Sequence, residues 1–154
     1  ILKGFYGDSA YTFAVGEIAP EVEQLLRVTK ESLQKGAEQA VAGNRVGDIS
    51  FAVQQHAEHY GYGVVRELVG HGLGRKMHES PEVPNYGAAG HGPRLVPGMT
   101  LAVEPMITAG HWEVKVLADK WTTVTTDGSL AAHYENSILI TDGDPEILTV
   151  VDGF

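Results

Sequence analysis

The chain has 154 residues, 20 of them acidic and 11 basic, so its formal net charge at pH 7 is −9 with neutral histidines. Hydrophobic residues make up 43% and cysteine is absent, which is typical of one globular domain and excludes a disulfide framework, a zinc–thiolate cluster and a cysteine nucleophile. The acidic balance argues against a broad nucleic-acid surface, and no apolar run approaches the ~20 residues of a membrane span.

The N-terminal residues predict two strands joined by a turn. Residues 1–5 indicate the end of one strand, a turn follows at 6–8, and residues 10–15 indicate a second strand that Gly16 closes. A short turn between two strands is typical of a hairpin. We therefore expect Asp8 at the tip of this hairpin or directly after it.

Two helices are predicted next. From Glu21 the apolar residues recur at helical spacing until Gly43 and Asn44 end the pattern. The side chain of Asp48 suits the N-cap of a second helix, which we expect to stop near Gly61.

The second half of the chain predicts a long loop followed by strands. Residues 70–98 contain seven glycines and four prolines, and a loop of that length is usually functional or disordered. The predicted strands cover residues 64–65, 99–103, the surroundings of 107, 114–117, 121–125, 133–140 and 147–151. A hairpin, two helices and a strand-rich half together indicate an α+β domain with an antiparallel sheet.

Several histidines and carboxylates of this pattern are candidates for chemistry. His71 lies between glycines, which permit a close approach of a ligand, and His78 follows seven residues later. Glu104 ends an apolar strand, where a buried carboxylate is costly unless it is paired or bound to a metal. Taken singly, each has an ordinary explanation as a solvated loop or strand-end residue.

Two further candidates depend on local geometry. Strand alternation puts His133, Glu135 and Ser137 on one face, and Asp8 stands at the hairpin. An aspartate after Tyr-Gly is usually a turn residue, so the set of positions is more informative than any one of them.

Eight short motifs occur along the chain: GFYGDS (4–9), GHGLGR (70–75), MHE (77–79), VPNY (83–86), PGMT (97–100), VEPM (103–106), SL (129–130) and HYEN (133–136). In order and spacing, and over essentially the whole chain, this set resembles the motifs of the type I methionine aminopeptidases. Only 33 positions separate His71 from Glu104. This leaves no room for the long insertion of the type II enzymes, so type I is the better match.

The resemblance implies a fold and an activity. The fold is the pita-bread fold, a curved antiparallel sheet with helices on its outer face, here incomplete. The activity is removal of the N-terminal methionine from nascent polypeptides in the cytoplasm, by a water that a pair of divalent metal ions activates. Oxygen ligands with one imidazole suit Co, Mn, Fe or Zn.

The resemblance also assigns roles to residues of this chain. By matching position, Asp8, His71, Glu104 and Glu135 are expected metal ligands, and Glu104 is also the expected proton shuttle between the nucleophile and the leaving amine. These four residues are therefore the predicted metal centre.

Three more residues are predicted to contact the substrate. His78 corresponds to the histidine that contacts the scissile amide and could donate a hydrogen bond as that amide becomes tetrahedral. Trp121, and Met77 where relatives usually have an aromatic residue, correspond to part of the pocket for the methionine side chain.

The family pattern also extends beyond this chain. The family has a further metal-binding aspartate, and half of its fold, upstream of the position of Ile1. We therefore interpret residues 1–154 as the C-terminal portion of a single catalytic domain, with the upstream half as a candidate second chain. The carboxylates of Asp8, Glu104 and Glu135 carry a total charge of −3, whereas two divalent ions carry +4. Because this charge does not balance, we expect the chain alone to hold at most one metal ion tightly.

Two other functions remain open at this point. A proline-directed peptidase of the same fold uses a similar metal set, but Asn85, Tyr86 and the short segment between His71 and Glu104 favour the methionine enzyme. A non-catalytic pita-bread binding module would have lost the metal ligands, and all four expected in this span are present. A structural zinc domain is disfavoured because such sites use clusters of cysteine and histidine.

Overall fold

The computed structural model describes residues 1–150 and contains two helices and eleven short strands. The helices are α1 (Pro20–Glu38) and α2 (Val46–His59), and neither could cross a membrane by its length and apolar content. The strands are β1 (Ser9–Ala10), β2 (Gly63–Val64), β3 (Gly70–Gly72), β4 (Glu79–Val83), β5 (Thr100–Val103), β6 (Met106–Thr108), β7 (Val114–Val116), β8 (Thr123–Thr125), β9 (Ala131–His133), β10 (Glu135–Leu139) and β11 (Glu146–Ile147).

These strands form three antiparallel sheets. The largest has the order β1-β10-β5-β3-β4, with β11 also paired to β10. A second sheet has the order β2-β6-β9, and β7 pairs with β8 in a two-stranded ribbon. The predicted α+β class with antiparallel sheets is therefore confirmed.

The two larger sheets each have an apolar core that the helices cover. The core of the six-stranded sheet consists of Leu33, Ala37, Ala40, Val46, Ile49, Val83, Leu95, Leu101, Val103, Tyr134, Ile138 and Ile140. The core of the three-stranded sheet consists of Leu25, Ala57, Val64, Ile107 and Ala132. Leu26 of α1 packs against both, so one helix joins the two cores.

The six-stranded sheet has one apolar face and one polar face. Leu101, Val103 and Ile138 belong to the helix-covered core. Because side chains alternate along a strand, Ala102 and its pairing partner Ser137 lie on the opposite face. That opposite face carries the candidate functional residues.

The N-terminal hairpin is smaller than predicted. The chain turns at residues 3–4, where Leu2 and Phe5 form a single antiparallel bridge, and not at residues 6–8. The predicted pairing of residues 1–5 with residues 10–15 is therefore wrong, because β1 pairs with β10 instead. Asp8 lies three residues beyond the bridge. The predicted strand over residues 10–15 is wrong beyond Ala10. The observed strand β1 pairs with β10, and this pairing ends at Ala10 because its partner Glu135 is the first residue of β10.

The helix boundaries also differ from the prediction. Helix α1 ends at Glu38, before Gly43, and the N-cap of α2 is Arg45. Asp48 is the third residue of α2, where its carboxylate accepts a hydrogen bond from the Arg45 amide at 2.7 Å. The N-cap prediction for Asp48 is therefore wrong, but its carboxylate still satisfies a backbone donor at this helix start.

The predicted loop over residues 70–98 contains two strands, β3 and β4. Neither Gly70 nor Gly72 has a positive φ. A Cβ at Gly70 would collide with the carbonyl oxygen of Ala102, and one at Gly72 with that of Ser80. These glycines permit close packing of strand backbones rather than a turn, which explains why the sequence pattern suggested a loop.

The C-terminal strands follow the predicted order with shorter bounds. The predicted strand over residues 133–140 is split at Tyr134, because β9 pairs with β6 in one sheet and β10 pairs with β5 in the other. Of the strand predicted over 147–151, only Ile147 lies in a strand, β11, whereas residues 148–149 form a turn and that part of the prediction is wrong. Val151 lies outside the described residues.

Candidate metal centre

The candidate residues meet where the chain twice crosses from one large sheet to the other. Glu104 and Pro105 form the crossing from β5 to β6, and Tyr134 forms the crossing from β9 to β10. The Tyr134 amide donates to the Pro105 carbonyl oxygen at 3.4 Å, so the two crossings lie side by side. His133, the residue before Tyr134, is thereby brought close to Glu104.

The strand register places the other candidates on the same face. His71 on β3 pairs with Ala102 on β5, and Glu104 lies two residues further along that face. Glu135 begins β10 and pairs with β1, which Asp8 precedes by one residue. Four neighbouring strands thus present Asp8, His71, Glu104 and Glu135 to one point.

Distances within this cluster are short. His71 Nε2 lies 3.5 Å from Glu104 Oε1 and 3.9 Å from Asp8 Oδ2. His133 Nε2 lies 3.6 Å from Glu104 Oε2. Two groups have ligand atoms that all lie within 4.8 Å of one another: Asp8, His71 and Glu135, and Glu104, His133 and Glu135. Glu135 belongs to both groups.

The orientation of His71 leaves one ring nitrogen free for a ligand. Its Nδ1 lies 2.9 Å from the carbonyl oxygen of Gly72, and a carbonyl oxygen can only accept, so Nδ1 carries the proton. The lone pair is then on Nε2, which faces Asp8 and Glu104. A hydrogen bond at the other ring nitrogen is the usual support for a metal-binding histidine.

The carboxylates of the cluster destabilise each other's charged forms. Burial, then the charges of Glu135 and Asp8, raise the pKa of Glu104 to about 8. Burial and then the charge of Asp8 raise the pKa of Glu135 to about 7. Burial lowers the pKa of His133, and the charge of Asp8 opposes this. Without a cation the cluster is therefore an unfavourable place for three negative charges.

The residues present fit a divalent cation. Glu135 is 6% exposed, yet its Oε1 has no hydrogen-bond partner, and His133 Nε2 also has none. Over residues 1–150, none of the ion pairs joins a lysine or arginine to this cluster. Unpartnered buried acceptors and uncompensated carboxylates are what a bound cation would satisfy.

Two buried side chains hold the backbone at Asp8 and at Glu104. Ser137 Oγ accepts a hydrogen bond from the Asp8 amide at 2.9 Å and donates one to the Asp8 carbonyl oxygen at 2.8 Å. The side chain of Asn85, 1% exposed, donates to the carbonyl oxygen of Glu104 at 3.0 Å. Sequence reasoning assigned no role to Ser137, Asn85 or His133, although strand alternation had put Ser137 and His133 on the face of Glu135.

His78 lies at the edge of the cluster. Its ring is exposed and meets the ring of His71 edge-on, with centroids 4.3 Å apart. Met77 is also exposed on the chain beside it. Trp121 lies in the turn between β7 and β8 and is 88% exposed, so the structure brings His78, but not Trp121, against the predicted ligands.

A cleft of about 970 Å³ adjoins the cluster through His133. Apolar side chains of the three-stranded sheet and of the ribbon form much of its wall, including Val65, Met106 and Leu117. Neither Met77 nor Trp121 lines this cleft. The cluster therefore opens onto a mainly apolar surface.

Relatives with the same sequence pattern are named methionine aminopeptidases. The chain is 59% identical over 152 residues to methionine aminopeptidase of Clostridium acetobutylicum and 51% identical over 150 residues to methionine aminopeptidase 1 of Bacillus subtilis. These matches cover 99% and 97% of this chain and 61% and 60% of the relatives. The chain thus spans about three-fifths of the length of these relatives.

Solved structures confirm the expected fold. The methionine aminopeptidase of Thermotoga maritima superposes with a TM-score of 0.94 at 49% identity, over 97% of this chain and 60% of that one. The prolidase of Pyrococcus horikoshii superposes with a TM-score of 0.74 at 23% identity, over 97% of this chain and 37% of that one, which shows the shared pita-bread fold alone. Residues 1–142 match metallopeptidase family M24, and the chain belongs to that family.

Proposed function

We propose that this chain is the C-terminal portion of a single catalytic domain that removes the N-terminal methionine from nascent polypeptides in the cytoplasm. The observation that carries the proposal is the convergence of Asp8, His71, Glu104 and Glu135 on one face of the sheet, with two ligand groups that share Glu135. The names of the relatives, at 43–59% identity, support the substrate.

We further propose that Asp8, His71, Glu104 and Glu135 hold divalent ions, with Co, Mn, Fe and Zn as the candidates. Carboxylates with an imidazole suit these metals. Bound ions would lower the pKa of a water molecule, so that hydroxide is available as the nucleophile at neutral pH. They would also polarise the scissile carbonyl. Three carboxylates cannot neutralise two divalent ions, so we expect one ion to be held tightly and a second more weakly.

Glu104 is the proposed proton carrier. Burial and the neighbouring carboxylates raise its pKa to about 8 in the metal-free chain, and bound ions would lower that pKa, so the support for this role is the position of Glu104 within the cluster. Each of its oxygens faces the imidazole of a different histidine, His71 or His133. In the proposed reaction Glu104 takes a proton from the attacking water and gives it to the leaving amine.

His78 is the proposed contact to the scissile amide. Its exposed ring stacks edge-on against His71, which places a potential hydrogen-bond donor beside the ligands without making it one of them. Such a donor stabilises the negative charge that develops on the amide oxygen.

The apolar cleft beside His133 is the proposed site of the substrate side chain. Its wall includes the flexible side chain of Met106, and polarisable, apolar walls suit a thioether. Met77 and Trp121 do not line this cleft, and their contact with the methionine side chain stays a prediction. The upstream half, as a second chain or segment, is a further proposed partner.

Two substrates distinguish this function from its closest rival. We expect the metal-loaded protein to release methionine from Met-Ala-Ser and to leave X-Pro dipeptides intact. His71→Ala should abolish the reaction because it removes a ligand, whereas His59→Gln, an exposed position in α2, should not change it. Cleavage of X-Pro dipeptides instead would identify a proline-directed peptidase.

The other alternative is a non-catalytic binding module. The presence of all four expected ligands at one point disfavours it. Full activity of His71→Ala, or failure of the protein to bind any divalent metal, would favour that function over the proposed one.

A further inference from the structure

His133 lies in the cluster although its position is not among the expected ligands. Its Nε2 is buried and has no hydrogen-bond partner, and it lies 3.6 Å from Glu104 Oε2. Hydrogen bonds between nitrogen and oxygen have modal lengths of ~2.9–3.0 Å. The distance is therefore too long for a direct bond to Glu104, and the position of the ring needs another explanation.

The separation suits two atoms that share one ion. Two ligand atoms that each lie ~2.1 Å from a tetrahedral metal are about 3.4 Å apart. His133 Nε2 and Glu104 Oε2, at 3.6 Å, match this spacing as closely as His71 Nε2 and Glu104 Oε1 do at 3.5 Å. Glu104 thus presents one oxygen to each imidazole.

Hydrogen bonds to Thr12 fix the backbone from which the His133 side chain extends. The His133 amide donates to Thr12 Oγ1 at 3.1 Å, and Thr12 Oγ1 donates to the His133 carbonyl oxygen at 2.7 Å. The hydroxyl of Tyr134 donates to the Thr12 carbonyl oxygen at 2.8 Å. Three bonds between two segments that are distant in sequence therefore fix the backbone at His133, and from this backbone position its ring reaches Glu104.

We infer that His133 is a metal ligand, which with Glu104 Oε2 and Glu135 forms the second, weaker ion site beside that of Asp8, His71 and Glu135. This inference rests on the proposed function, because it presumes that the cluster binds metal. A second imidazole makes this site more suited to Co and Zn than to Mn, because imidazole nitrogen suits the former and oxygen ligands the latter.

The test is a calorimetric titration of the chain with Co²⁺ and, separately, Mn²⁺, with the visible absorption of Co²⁺ as a second readout. The parent should show a tight step and a weaker step with Co²⁺. His133→Gln should weaken the second step at least about tenfold and change its absorption spectrum, while the first step is kept. His59→Gln, at an exposed histidine of α2, is the matched control and should resemble the parent.

The outcomes separate the inference from the function on which it rests. If the parent binds no metal, the proposed function fails. If the parent shows one step only, or if His133→Gln keeps both steps and the parent spectrum, the ligand assignment is overturned. Equal weakening of both steps would also overturn it, because that result indicates a residue that only positions Glu104. A folded variant is confirmed by an unchanged circular dichroism spectrum.

Discussion

Ser137 binds both backbone polar groups of Asp8. Its hydroxyl oxygen accepts from the Asp8 amide at 2.9 Å and donates to the Asp8 carbonyl at 2.8 Å, although the two residues are 129 positions apart. Ser137 is 1% exposed, whereas Asp8 is half-buried, so these bonds are partly shielded from water. The chain leading into β1 is thus fixed to β10 at the residue that supplies the first expected ligand.

Removal of this hydroxyl should loosen Asp8. We expect Ser137→Ala to lower the free energy of unfolding by about 1–3 kcal/mol, because it removes two hydrogen bonds to partly buried backbone groups, each worth about 0.5–1.5 kcal/mol. Metal affinity should fall about tenfold, as for other residues that orient ligands. Chemical denaturation and calorimetry measure the two effects. Ser9→Ala, at an exposed serine of β1, is the control, and equal effects of both substitutions would contradict the proposed role.

The raised pKa values predict how pH affects the metal-free chain. The folded-state pKa is about 8 for Glu104 and about 7 for Glu135, against 4.5 as the ordinary value. The folded chain therefore binds more protons than the unfolded chain, so the stability from these groups is complete below about pH 4.5. It is lost as pH rises through 7 and 8.

Bound metal should reverse this trend, because it requires the deprotonated carboxylates. The rise in melting temperature that Mn²⁺ produces should be larger at pH 8 than at pH 6. Metal binding at pH 7 should also release protons, and calorimetry in two buffers with different ionisation heats measures this release. Without metal, Glu104→Gln should lose less stability between pH 6 and 8 than the parent. An identical pH profile for parent and variant would show that Glu104 is not the group that titrates.

His78 should affect turnover and not metal content. We expect His78→Asn to lower kcat on Met-Ala-Ser by about 10²-fold, the typical cost of losing a donor to a developing oxyanion. The bound metal per chain should stay the same, because the His78 ring contacts His71 and is not within either ligand group. His91→Gln, at an exposed histidine, is the control. Loss of metal in His78→Asn would place this residue among the ligands instead.

The resemblance of the motifs to a known family predicts the ligand set, whereas strand alternation, a local property, predicts only the shared face of His133, Glu135 and Ser137. The order of the elements, the two helices and the face of Glu135 follow from periodicity alone. What periodicity cannot predict is which strands become neighbours. The proximity of His133 to Glu104 depends on two crossings between sheets, and the bond from Ser137 to Asp8 depends on a pairing between opposite ends of the chain.

The glycines around His71 are the clearest case of a local signal with two explanations. A glycine-rich stretch predicts a loop when glycine supplies a positive φ, but here it permits close contact of backbones within a sheet. The two explanations can be distinguished only when the neighbouring backbone is known, which here is that of β5 at Gly70 and of the Ser80 segment at Gly72. The sequence pattern therefore did not predict β3 and β4, because a single sequence does not show which backbone segments pack against these glycines.

Substitution of Gly72 tests this explanation. A Cβ at Gly72 would collide with the Ser80 carbonyl oxygen, and backbone atoms cannot rotate away as a flexible side chain can. We expect Gly72→Ala to lower the free energy of unfolding by about 1–3 kcal/mol and to weaken metal binding, since β3 must shift and His71 with it. Gly7→Ala is the matched control, because no atom lies within 4 Å of its added Cβ and its φ is not positive, so its effect should stay within about 0.5 kcal/mol. If Gly72→Ala is as stable as Gly7→Ala and binds metal normally, then β3 does not need glycine for its contact with the Ser80 segment.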